Sequence, residues 1–279
     1  MKKYILVLAS CMSAFMLQSC YQDMDHPAFD YPESSSDQID SPLKLYLPFD
    51  EGDIRDKGEY GFLVADNGNA KFVSDGISGM AYQGAADAYI LAKTPSSLLE
   101  EIPDLGSCTI AFWMKSARNT SAQGVFSIPN STQFWGNFDI YLENTGSETE
   151  AFFKVHFNNS ISETDTEEKT VDAKIENVFG NEWVHMAFVY DGSASTLTIY
   201  RNGEVAFSRD MTGYGRLKFK DTGKSLAIGA FQFSTAPVLT SATTKPEWAD
   251  NFHGQLDQFR LYGEVISPAE IKSLYEEKK

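Results

Sequence analysis

Three sets of side chains in this sequence have the types and spacing to do chemistry. Glu163, Asp165 and Glu167 alternate over five residues. On a strand, that alternation puts three carboxylates on one face, where two can serve as nucleophile and acid across a glycosidic bond. Phe134-Trp135-Gly136-Asn137-Phe138-Asp139 and Pro246-Glu247-Trp248-Ala249-Asp250-Asn251 combine large rings with amides and carboxylates. A ring face stacks on the apolar C–H face of a sugar while amides and carboxylates read its hydroxyls. Phe134, Trp135, Asn137, Asp139 and Trp248 therefore form a candidate glycan-binding site. The third feature is Cys20, which follows Leu17-Gln18-Ser19 behind an apolar run.

The surroundings of each set decide how it reads. Around the acidic triplet, residues 158–169 contain Ile161 as their one clearly apolar side chain. A polar, solvated loop between Val155 and Val171 is expected there, not a strand anchored in a core. There is no Gly-x-Ser-x-Gly, His-Glu-x-x-His or phosphate loop, so no catalytic residue is assigned and a non-enzyme is expected. His156 and His185 sit in apolar runs and are expected to be packed, hydrogen-bonded strand residues. Trp113 and Trp183 lie in strand-like apolar runs and are expected in the core. Trp135 and Trp248 lie in Gly- or Pro-containing stretches, where a ring can stay exposed or fold onto the edge of the domain.

The N-terminus reads as a targeting segment. Lys2 and Lys3 precede an apolar stretch of 14 residues, Tyr4 to Leu17, shorter than the ~20 residues a spanning helix needs. Leu-x-Ser-Cys resembles the lipobox of bacterial lipoproteins, which implies cleavage before Cys20, lipidation of that cysteine and an outer-membrane anchor. Residues 1–19 are then a lipoprotein signal peptide. Residues 20–42, rich in Ser, Pro, Asp and Glu and without Lys or Arg, form an acidic tether with an average span of about 25 Å. Asp23 and Asp25 either resemble the surface-export signals of Bacteroidetes lipoproteins or simply belong to an acidic linker. Cys108 opens an apolar run and reads as a small core residue. With Cys11 removed and Cys20 lipidated, it has no disulfide partner within the chain.

The net charge of −16 becomes −18 once Lys2 and Lys3 leave with the signal. Such a surface repels phosphate backbones, so no nucleic-acid partner is expected, whereas a neutral ligand or a divalent cation is compatible with it. An apolar fraction of 42% suffices for one core across residues 43–279.

The elements that must position these groups are mostly strands. Leu43 to Phe49 alternates and ends at a turn; Cys108, Ile110, Phe112 and Met114 share one face of a run with Trp113 on the other; Trp183 to Tyr190 is apolar on both faces except at His185. Asn202-Gly203 between two alternating runs predicts a hairpin. Leu226 to Ala230 and Leu256 to Tyr262 add further strands. Ser267-Pro268-Ala269-Glu270 supplies a cap, a first-turn proline and a capping-box glutamate for one C-terminal helix.

In wording and order, Tyr46–Gly52, Gly79–Gly84, Thr109–Lys115, Trp183–Gly192, Leu197–Gly203, Phe252–Tyr262 and the helix from Ser267 resemble the laminin-G-like, concanavalin A-like lectin/glucanase superfamily. The resemblance implies an all-β fold, a two-sheet antiparallel jelly-roll sandwich with a short C-terminal helix. Laminarinase-like relatives carry Glu-x-Asp-x-Glu with apolar residues between the acids, which this chain lacks. Relatives with a structural calcium near the sandwich rim would match Asp50, Asp87 and Asp257 here. The alternative makes Asp50 and Asp87 turn residues and Asp257 a strand-end acceptor. The function expected is a non-catalytic surface lipoprotein that binds a carbohydrate ligand in polysaccharide capture, with protein partners in a glycan-uptake complex. The alternatives are an adhesin or structural protein-interaction domain and, third, a glycoside hydrolase.

Overall fold

The structure is a computed structural model that describes residues 39–66 and 69–278. The expected signal peptide, Cys20 and most of the expected tether lie outside these residues. In chain order the strands are β1 (Leu43–Leu47), β2 (Leu63–Asp66), β3 (Lys71–Val73), β4 (Ala81–Gln83), β5 (Ile90–Lys93), β6 (Cys108–Lys115), β7 (Ala122–Ile128) and β8 (Phe138–Glu143). They continue as β9 (Ala151–Ser160), β10 (Thr166–Ile175), β11 (Val184–Asp191), β12 (Thr196–Arg201), β13 (Glu204–Asp210), β14 (Ser225–Ile228), β15 (Ala249–Asn251) and β16 (Gln255–Tyr262), and the helix α1 (Pro268–Glu277) follows.

These strands form two packed sheets. The first runs β13-β12-β11-β6-β16-β4-β3, and β1 also pairs with β16; the second runs β10-β9-β8-β7-β14-β5-β2, and β15 also pairs with β7. All pairings are antiparallel except that of β15 with β7. The antiparallel two-sheet sandwich with a short C-terminal helix is thus the architecture expected from the sequence. Alternation places one face of every central strand inside. On β9, Ala151, Phe153, Val155 and Phe157 enter the core while Phe152, Lys154, His156 and Asn158 face outward. The sheets meet through rings: Phe112 and Phe126 both pack on Phe259, with centroids 5.7 and 5.6 Å away, and Phe153 meets Phe188 at 5.2 Å. Cys108 is fully buried among them, and burial pushes its thiol up to about 12.

Local chemistry explains the turns. Asn202 and Gly203 join β12 to β13 with φ of 52° and 80°, the pair of positive values a two-residue type I′ hairpin requires. In α1, the Ser267 side chain accepts from the Glu270 amide while the Glu270 carboxylate accepts from the Ser267 amide. The helix packs on the outer face of the first sheet through Ile271 and Tyr275, covering Ala111, Ala187 and Trp113.

Three expectations about elements need correction. The stretch around the acidic triplet is not one long loop: β9 and β10 pair from Ala151↔Ile175 to Ser160↔Thr166, and only residues 161–165 turn. Cross-strand hydrogen bonds hold these polar residues in a strand despite their composition. Trp183 precedes β11 and is half-buried at the rim, where its Nε1 donates to the Asp75 carbonyl at 2.7 Å, so it is not a core residue. The domain also begins before residue 43. The Tyr60 hydroxyl bonds to Ile39 and Ser41, and the Gly263 amide donates to the Pro42 carbonyl.

The chain enters at the end of the sandwich where Leu43, Tyr262 and Thr109 pair across β1, β16 and β6. Lys115 and Gln255 lie at the opposite end, where a short loop carries the chain from β6 into β7.

Candidate functional site

Two segments fold back over the outer face of the second sheet and build the site there. Residues 129–137 link β7 to β8, and residues 229–248 link β14 to β15. Both approach the sheet where a side chain would collide. A Cβ at Gly124 of β7 would fall 2.2 Å from the Phe231 amide nitrogen, and one at Gly136 would fall 2.5 Å from the Asp139 carboxylate. Glycine at these two positions lets the loops lie directly on the strands.

An aromatic cluster separate from the main core fills the space between loops and sheet. It contains Tyr141 from β8, Phe231, Phe233, Phe134 and Trp135. Trp135 stacks on Tyr141 with centroids 5.2 Å apart and planes 12° from parallel. It also meets Phe134 at 5.1 Å, His156 at 5.5 Å and Trp248 at 5.9 Å. Trp248 packs on Phe231 and Phe233, each at 5.9 Å, yet stays 45% exposed. Beside these rings lies a cleft of about 590 Å³, within the range of small-ligand sites, lined by Trp135, Trp248, Tyr141, Glu143, Asn144 and Glu247 among others. It opens toward the end of the sandwich opposite the chain entry, next to Ala122 at the start of β7.

The structure brings together three of the five expected glycan-site residues: Phe134, Trp135 and Trp248. It withdraws the other two. Asn137 is fully buried, donating to the Pro129 and Lys220 carbonyls at 3.1 and 2.8 Å and accepting from Asn130 at 3.0 Å. Asp139 is 1% exposed and accepts from Ser127 Oγ at 2.5 Å and from the Gly136 amide at 2.8 Å. These side chains hold the loop that carries Trp135; no ligand can reach them. Burial drives the Asp139 carboxyl up to about 7.

Sequence reasoning missed Tyr141, Glu143, Asn144 and Lys154, which strand pairing across β8 and β9 sets beside the tryptophans. The available signal was Tyr141, an outward-facing ring at the polar-face position of an alternating run. Both histidines are packed as expected. Thr170 Oγ1 lies 3.0 Å from His156 Nδ1, and Trp113 covers His185 at 5.2 Å. Burial pulls their rings down to about 4 and about 3 respectively.

Neither acidic set converges. Glu163 and Asp165 sit in the β9–β10 turn and Glu167 at the start of β10, all exposed on a hairpin tip. They frame no cleft in which a sugar could be flanked. Asp257 is fully buried, and its carboxylate accepts the amides of Ile77 at 2.6 Å, Gln258 at 2.8 Å and Ser78 at 3.4 Å. Burial raises its carboxyl to about 7. Asp50 accepts from Gln258 Nε2 at 3.0 Å, and burial raises it as well. Asp87 lines a different cleft, with Tyr89 and Lys245. Among the described residues no three His, Cys, Asp or Glu side chains gather to hold a metal. Asp50 and Asp257 thus lie beside Gln258, and Asp87 lies apart at the second cleft.

Comparison with known proteins bears on the fold. The chain is 27% identical over 173 residues to the rat (Rattus norvegicus) sushi, von Willebrand factor type A, EGF and pentraxin domain-containing protein 1, a match covering 62% of this chain and 4% of that protein. The binding domain of botulinum neurotoxin serotype D superposes with a TM-score of 0.58 at 13% identity, over 84% of this chain and 51% of that one. The binding domain of neurotoxin DC, solved in complex with rat synaptotagmin II, superposes with a TM-score of 0.58 at 14% identity, over 85% and 52%. A solved chain of botulinum neurotoxin type C, whose cell entry is dependent upon interaction with two ganglioside molecules, gives 0.58 at 13% identity, over 86% and 52%. This chain thus spans about half the length of those solved domains, and at such identities the likeness is one of fold. The Laminin_G_3 family model matches residues 83–272, which take in most of both sheets, both loop segments and the aromatic cluster. By that match the chain belongs to the concanavalin A-like lectin/glucanases superfamily.

Proposed function

We propose that this protein is a non-catalytic glycan-binding module, held at the outer membrane by lipid on Cys20 and serving in polysaccharide capture. The observation that carries the glycan reading is the cleft beside Trp248. The partly exposed Trp248 indole offers a stacking surface beside Trp135, and Glu143, Asn144 and Glu247 stand beside them as hydroxyl-reading groups. The family supports a binding role, and the exposure of the acidic triplet on a hairpin tip supports a non-enzyme.

The test is retention on affinity gels or a glycan array bearing plant, algal and host polysaccharides. Retention that Trp248→Ala abolishes supports the reading; absence of retention on every glycan removes it. The second reading, a protein ligand, is favoured by the synaptotagmin complex of one fold neighbour. A pull-down from solubilised envelope distinguishes it. For the anchor, Cys20→Ser should abolish labelling by an alkyne fatty acid, and labelling that survives removes the lipobox. Calcium belongs to this proposal only at Asp50 and Asp257. A rise in melting temperature with added calcium over EDTA supports it there, and an unchanged value withdraws it.

A further inference from the structure

Resting on the glycan reading, we infer that the first cleft is half of a longer groove, and that its ligand is a neutral glycan chain several sugar units long. A second cleft, of about 470 Å³, lies on the same outer face of the second sheet, lined by Ala86, Asp87, Tyr89, Phe233, Ala236 and Lys245 among others. Tyr141 of β8 forms part of the wall of the first, and Tyr89, immediately before β5, part of the wall of the second. Between β8 and β5 stand β7 and β14, so the two walls are three strand spacings, or about 14 Å, apart. That exceeds the reach of one sugar ring.

What divides the clefts is a shared aromatic ridge. Lys245 lines the second and Glu247 and Trp248 the first, so the three-residue step from Lys245 to Trp248 crosses from one to the other. Beneath that step Phe233 meets Trp248 at 5.9 Å and Phe134 at 5.0 Å. The exposed indole of Trp248 thus stands between the two clefts, where a chain running through both would lay a sugar on it. A ligand confined to one cleft would leave the other unused.

Charge narrows the ligand class. The groove carries Glu143, Glu247 and Asp87 against Lys154 and Lys245. Both lysines have carboxylate partners, Glu143 at 3.7 Å from Lys154 and Asp250 at 3.3 Å from Lys245. A uronate or sulfated sugar would have to displace a carboxylate from a lysine, on a protein whose net charge is already −16. Neutral hydroxyls meet no such cost.

The experiment measures Kd by calorimetry for ladders of β-glucan, α-glucan, mannan and xylan oligosaccharides, from disaccharide to octasaccharide, with oligouronates alongside. The expected result is an affinity that climbs at least tenfold with length on a neutral ladder, and no binding of oligouronates. Ala86→Leu, which adds bulk without a ring face at an exposed position in the second cleft, should lower the ratio of octasaccharide to disaccharide affinity at least fivefold. Lys245→Ala provides a second probe of the same cleft, and melting temperature verifies that each variant folds. Affinity independent of length, an equal loss on short and long chains, or tighter binding of oligouronates would overturn the inference while leaving the glycan reading in place. Failure of the unmodified protein to bind any sugar removes both.

Discussion

Trp135 and Trp248 sit in one aromatic cluster and do different work. Six rings surround Trp135, and the Asn137 and Asp139 side chains pin the loop on either side of Gly136. Its replacement by alanine opens a cavity and should cost about 3 kcal/mol of stability, measured by denaturant unfolding. Trp248 keeps 45% of its surface in solvent, so Trp248→Ala should shift the unfolding midpoint little. Its effect falls on the ligand, a loss of ~1–3 kcal/mol in binding free energy by calorimetry, the range for an aromatic anchor. Equal destabilisation by both changes would make Trp248 a packing residue and move the binding face elsewhere. Trp183, half-buried with its Nε1 on the Asp75 carbonyl, should cost less to truncate than Trp113, which lies buried beneath Tyr275.

Among the elements, α1 depends most visibly on a few side chains. Its capping box satisfies two backbone amides at once, and Ile271 is its one fully buried residue. Ser267→Ala should therefore destabilise the protein by about 1 kcal/mol in urea unfolding. A larger loss would mean that the helix end also steadies Trp113 and His185 through Tyr275. The β9–β10 hairpin is built differently. Its inner half alternates, with Val171, Ala173 and Ile175 buried between exposed Asp172 and Lys174, and its outer half is polar on both faces. Glu163→Gln with Glu167→Gln at that tip should leave both stability and ligand binding unchanged, since neither side chain lines a cleft.

Across the whole molecule, burial of four titratable groups sets how stability depends on pH. Asp139 and Asp257 hold their protons up to about pH 7, whereas in the unfolded chain they release them near 3.8. Their contribution is fully present below the unfolded value and is lost as pH rises through 7. His156 and His185 run the other way. Unfolded they take protons near 6.5, and folded they refuse them down to about 4 and about 3. Their contribution is present above 6.5 and lost as pH falls toward those values. The two pairs oppose each other between about pH 4 and 6.5, so the melting temperature should be nearly level there, fall as pH rises from about 6.5 through 7, and level off above that. Asp139→Asn removes one ionisation and should raise stability more at pH 8 than at pH 5, the two gains differing by about 3 kcal/mol. A variant whose gain is the same at both pH values would show that the carboxyl is not what titrates.

Local rules of the chain reach as far as the strands, the Asn202-Gly203 hairpin and the capped helix. Each depends on residues within a few positions of one another, and Leu43–Leu47, Cys108–Lys115 and Gln255–Tyr262 alternate plainly enough to be read directly. The proposed lipobox is read in the same way, from sequence order alone. What lies on the outer face of the second sheet is not local. Phe134-Trp135-Gly136-Asn137-Phe138-Asp139 shows rings and polar groups together but not which of them point to water. That was decided by folding: Ser127 and Gly136 enclose Asp139, Pro129, Asn130 and Lys220 enclose Asn137, and a segment a hundred residues later folds onto Gly124 and packs its rings on Trp135. Cross-strand register then set Tyr141 and Lys154 beside the indoles, and the step from Lys245 to Trp248 placed two clefts side by side. Sequence alone determined the sandwich because periodicity is a property of each strand, and only tertiary structure decided the site because burial there depends on which loop covers which face.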